Sequence, residues 1–107
     1  MADTSFLDWP FLEPKHKALH VALEAWASDN LQHVDHDNTD QTCQALVAAL
    51  GAAGILKHTG VNATFPLIDV RSLCLIRETL ARHDGLADFA FAMQGLGTCL
   101  LYTSDAA

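Results

Sequence analysis

"RETLARHDGLADFAFAMQGLG", residues 77–97, reads as a helix that breaks at His83-Asp84-Gly85 and restarts as a second, almost wholly apolar one. The chain as a whole carries 13 Asp and Glu against 6 Lys and Arg, a net charge of −7, yet "LADFAFAMQGLG" holds a single charged residue, Asp88. A surface helix needs only one apolar stripe. Here Leu86, Phe89, Ala90 and Met93 form the expected buried face, while Ala87, Phe91 and Gln94 look sideways, so apolar surface is left over. Such a surplus implies a cover, whether another part of a larger protein or an apolar ligand.

The rest of the chain reads outward from this hairpin. Gly85 is expected to close the preceding helix in the left-handed conformation, and Asp84 to cap the one that follows. Asp69 suits the N-cap of the earlier helix, with Val70, Leu73, Ile76 and Leu80 as its core stripe and Cys74 and Leu75 widening it. The first helix should run from about Pro14, a residue that fits a first turn, to about Val34, with Leu19, Leu23 and Trp26 at helical spacing. "HVDHDNTD", residues 33–40, interrupts it with turn-forming residues. Asn38 or Thr39 can then cap a second helix on which Cys43, Leu46, Val47 and Leu50 fall at i, i+3, i+4 and i+7, and Gly51 and Gly54 should end it. "ILKHTGVNATFPLI", residues 55–68, reads as a loop with a short extended piece around Val61. Four helices and no convincing strand predict an all-α antiparallel helical bundle, with the long first helix as the cover of the fourth.

Composition narrows the function classes. With 107 residues the chain is one domain at most. No basic stripe exists to release counterions, which excludes a nucleic acid partner. Its apolar runs are broken by charge well short of the roughly 20 residues that span a bilayer. "MADTSFLDWP" has two Asp and no basic residue, unlike a secretory or transit leader, and a cytoplasmic location is expected. Cys43, Cys74 and Cys99 are odd in number and lack a C-x-x-C spacing, so neither a disulfide framework nor a zinc ribbon is supported. Cys43 and Cys74 are expected in the core as small hydrophobes.

His16, His20 and Glu24, at successive i+4 positions, share one helical face in a geometry that zinc sites use. With Lys15 and Lys17 beside them, a solvated face is the expected reading. His33, Asp35, His36 and Asp37 read as capping and a polar turn. No G-x-S-x-G, P-loop or dinucleotide fingerprint is present, and the glycines of "GAAG" and "GLG" read as helix terminators. No complete active site and no metal site is therefore expected from the residues alone.

Three stretches together carry a family resemblance: "LDWPFLEPKHKALHVALEAWA", "CQALVAALGAAGILKH" and "IDVRSLCLIRETLARHDGLADFAFAMQGLGT". In this order and spacing they resemble the N-terminal helical domain of the flavin-dependent acyl-CoA dehydrogenases, over about residues 6–98. The resemblance implies a longer protein with a middle β domain and a C-terminal bundle holding the catalytic base. Those enzymes use FAD to place a double bond between the α and β carbons of an acyl-CoA thioester, the base taking a proton and flavin N5 a hydride. It implies that residues 1–98 form the helical domain, that base and nearly all FAD contacts lie elsewhere, and that this chain is inactive alone. An electron-transfer partner and a homotetramer are implied for the complete enzyme.

The helix matching "LADFAFAMQGLG" lines the acyl tunnel in that family, and the matched positions are Asp88, Phe89, Ala92 and Leu96. The alternative is that all four pack in the core. Asp88 departs from the pattern, because a carboxylate in an apolar tunnel is costly unless paired; it would serve a polar substrate tail or turn away. After "GLGT" the family goes on differently, and residues 99–107, "CLLYTSDAA" from Cys99, look like translated adapter sequence, a divergent linker being the alternative. Cys99 and Tyr102 are given no role. An acyl-CoA oxidase shares the same helical domain, and a free-standing helical interaction module is the rival from another class.

Overall fold

The computed structural model describes residues 3–59 and 69–103, with 97–103 as helix backbone alone. Every regular element among the described residues is a helix, and none is a strand. Helix α1 is Pro14–Asn30, α2 Thr39–Ala52, α3 Val70–His83 and α4 Gly85–Thr103, with 3₁₀ turns at Ser5–Asp8 and Ile55–Thr59. The extended piece expected around Val61 lies outside the described residues, as do the side chains of Cys99 and Tyr102.

Four helices pack together, in an order that departs from simple antiparallel neighbours. α3 packs on both α1 and α4, and α4 packs also on α2 and the second 3₁₀ turn. His16 bonds Asp69 at the starts of α1 and α3, and Glu24 bonds His83 towards their ends, so these two helices run in the same direction. α4 is thus covered by α3 and α2, where the sequence suggested α1. The Cα envelope measures 42 × 36 × 18 Å. Its short dimension admits about two helix layers at the usual 8–10 Å spacing, which leaves outer faces open.

The core joins Leu23, Ala27 and Leu31 to Leu46 and Leu50 of α2, Ile55, Ile76 and Leu80, and Ala87, Ala90 and Phe91 of α4. Between α1 and α2 it is incomplete. A crevice of about 300 Å³ lies along that seam and another of about 240 Å³ between α1 and the turn after α2, with Trp26 in the wall of both.

Local chemistry explains where each helix stops. α1 begins at Pro14 as expected but ends at Asn30, short of Val34: the Asn30 amide donates to the Trp26 carbonyl at 2.8 Å, and Leu31 turns into the core. At the start of α2 the Asn38 side chain reaches Gln41 at 2.7 Å and makes no cap bond, while its carbonyl accepts from Thr42 N–H. Gly51 lies inside α2; the terminator is Gly54, whose φ of +79° is the left-handed turn that glycine takes without a Cβ clash.

Asp69 caps α3 by accepting from Arg71 N–H at 3.1 Å. The buried stripe of α3 is Ser72, Leu75, Ile76, Thr79 and Leu80, rotated from the expected one; Val70 is exposed. Two of the buried positions, Ser72 and Thr79, carry hydroxyl groups, which an apolar periodicity does not count. Cys74 is exposed and Cys43 half-buried, so neither is the core residue it was expected to be. At the break, Asp84 adopts an extended conformation and its carboxylate accepts from Ala87 N–H at 3.0 Å, which caps α4. Gly85 has no positive φ: the extended aspartate, with its own N–H on the Leu80 carbonyl, makes the turn.

α4 also presents a different face from the one expected. Ala87, Ala90 and Phe91 are buried, while Phe89, Met93 and Leu96 are exposed. The small Ala87 and Ala90 leave room on the buried side for Phe91, and Phe89, Met93 and Leu96 turn outward. The helix runs through Gly95 and Gly97 to Thr103, so "GLG" does not terminate it. Among the described residues no helix is long and apolar enough to cross a membrane.

Candidate functional site

The outward face of α4 is a stripe of Phe89, Met93 and Leu96, 56, 40 and 57% exposed, at i, i+4 and i+7. This spacing aligns the three side chains over two turns. Of the residues singled out from the sequence, Phe89 and Leu96 belong to the stripe, Ala92 is half-buried beside it, and Asp88 stands apart. The Asp88 carboxylate is held by Arg77 of α3 through Nε at 2.9 Å and Nη2 at 3.2 Å. This is a forked pair of the kind that fixes geometry. Bonding to Asp88 raises the Arg77 pKa. The carboxylate that looked costly in an apolar wall is thus neutralised against α3. Met93, placed in the core by the sequence reading, is exposed and completes the stripe; its position between Phe89 and Leu96 was the available signal.

A second constellation joins α1 to α3. His16, His20 and Glu24 do share one face, but the two histidines on it are buried and Glu24 is half-buried, so it is not a solvated one. His16 is 0% exposed. Its Nδ1 accepts from Glu13 N–H at 2.9 Å, so the ring proton sits on Nε2 and is donated to Asp69 at 2.8 Å. Asp69 also accepts from Ser72 Oγ at 2.9 Å and Arg71 Nε at 3.3 Å. About two turns further along α1, Glu24 accepts from His83 Nε2 at 2.8 Å and from Arg82, which bonds Glu78 as well. A histidine with both nitrogens committed to protein partners cannot act as a base, so this arrangement is a tie between helices. His20 Nδ1 and Thr79 Oγ1 are buried without a hydrogen-bond partner. Among the described residues no group of three His, Cys, Asp or Glu could hold a metal ion. In the polar turn, His36 reaches across to Asp84, while Asp35 accepts from Asp37 N–H at 2.9 Å.

The two carboxylates of this tie are shifted in the same direction. Burial alone pushes the Asp69 carboxyl up, but hydrogen bonds from His16, Ser72 and Arg71 outweigh it and hold the group well below the usual carboxylate range. Glu24 is likewise pushed up by burial and brought below its ordinary value by His83 and Arg82. A carboxylate whose folded pKa is depressed stabilises the fold fully above its unfolded pKa, about 4 for either residue, and that contribution is lost as the pH falls through the folded value. Stability should therefore drop on acidification below about pH 4. Urea titrations at a series of acidic pH values should show this slope flattened in Asp69→Asn; an identical acid limb in the variant would contradict the assignment.

A groove of about 530 Å³ lies between the N-terminal segment and α3, lined by Phe6, Trp9, Phe11 and Leu12 against Val70, Cys74 and Leu75, with Arg71 and Glu78 also in its wall. Trp9 stands edge-on to both Phe6 and Phe11. Arg71 fastens the segment by donating to the Phe11 carbonyl at 2.8 Å. Sequence reasoning did not find this cluster, since aromatics in a short irregular segment carry no periodic signal. In comparisons with known proteins, no family model matches the chain and no curated protein matches it.

Proposed function

We propose that this chain is the N-terminal helical part of an FAD-dependent acyl-CoA dehydrogenase and that it contributes wall to the acyl-chain site. The observation that carries the reading is the outward stripe Phe89, Met93 and Leu96 on the helix whose sequence resembles the tunnel-lining helix of that family. Two features support it. The one charge on this part of α4, Asp88, is turned onto Arg77, and the opposite face of the helix is filled by Ala87, Ala90 and Phe91. An aliphatic chain laid along the stripe would exclude water from exposed apolar surface, at about 25 cal/mol per Å² removed.

The described residues do not fit a flavin. The groove at α3 is walled mainly by Phe6, Trp9, Phe11, Leu12, Val70, Cys74 and Leu75, which gives a flavin's polar ring edge and pyrophosphate few partners, and the buried His16, Ser72 and Asp84 spend their hydrogen bonds on protein groups. No catalytic step is therefore assigned to them, and the base and the flavin site are proposed to lie in other domains of the complete protein. The complete enzyme would pass its electrons to a separate acceptor and assemble as a homotetramer in the cytoplasm. An acyl-CoA oxidase fits the same stripe and differs in reoxidising its flavin with oxygen.

The protein expressed from the uninterrupted source gene tests the reading. It should purify yellow with bound FAD, and acyl-CoA should bleach the flavin without added reductant. The 107-residue chain should bind no FAD stoichiometrically and dehydrogenate nothing. A colourless, flavin-free product of the uninterrupted gene would overturn the proposal in favour of a helical interaction module that docks a protein through the same stripe.

A further inference from the structure

We draw no further inference here: the strongest candidate, the apolar groove between the N-terminal aromatic segment (Phe6, Trp9, Phe11) and the outer face of α3 (Val70, Cys74, Leu75), carries none because nothing in the structure shows what covers it.

Discussion

Replacing Phe91 by alanine should lower the unfolding free energy by about 3–5 kcal/mol, whereas the same change two residues earlier, at Phe89, should cost less than about 1 kcal/mol. Phe91 is 2% exposed and belongs to the cluster that joins all four helices, so truncation removes both its transfer energy and the contacts of the residues around it. Phe89 leaves more than half of its surface in solvent and has little packing to lose. A small domain has only about 5–15 kcal/mol of stability in total, so the first variant should show a broad, early urea transition or none. Equal losses, or a larger loss at Phe89, would mean that α4 is rotated to the face its sequence first suggested.

The second large effect is expected at Asp69. Its carboxylate caps α3 and accepts the Nε2 hydrogen bond of a histidine with no access to water. Losing an N-cap costs about 1 kcal/mol, and stranding a buried donor costs about 1–3 kcal/mol more. Asp69→Ala should therefore destabilise the chain by about 2–4 kcal/mol. Asp69→Asn keeps an oxygen for the cap and should lose less. In a double-mutant cycle with His16→Ala the two losses should be clearly non-additive, because the second change removes the donor that the first one strands. Additive losses would show that His16 and Asp69 do not depend on each other.

How much of this was legible in the sequence depends on what each residue had to signal. The α3 start and the break before α4 were readable because Asp69 and Asp84 act locally, each accepting from a backbone N–H two or three residues on. At the Asp84-Gly85 break the cap was read at the right residue, Asp84, but the turn was given to Gly85: the aspartate makes it in an extended conformation, and glycine is not used for its left-handed freedom. The face of α4 was not readable. Where both sides of a helix are apolar, hydrophobic periodicity has no contrast, and side-chain size decides which side can approach a neighbour. Ala87 and Ala90 won that contest over Phe89 and Met93.

The candidate site divides in the same way. Phe89 and Leu96 were reached through a resemblance of sequence, Met93 only through its exposure in the fold, and Asp88 was placed by a partner on another helix. The α1–α3 tie was invisible because His16, between two lysines, looks solvated while its partner lies 53 residues away. Cys74 misled for the opposite reason: it sits beside Leu73, Leu75 and Ile76 in sequence, yet is exposed in the wall of the groove that faces the N-terminal aromatic segment.

The central claim is that the Phe89, Met93 and Leu96 stripe is the wall against which an acyl chain lies, and the chain-length dependence of kcat/KM in the complete flavoprotein tests it most directly. Phe89→Ala widens that wall and Leu96→Trp narrows it, and neither touches the core, so the urea midpoint of each should stay close to that of the parent. Each methylene admitted or excluded is worth about 0.8 kcal/mol, so a change of two carbons should move the relative kcat/KM of long over short acyl-CoA substrates by about tenfold, upward for Phe89→Ala and downward for Leu96→Trp. Identical chain-length profiles in the parent and both folded, flavin-loaded variants would contradict the claim.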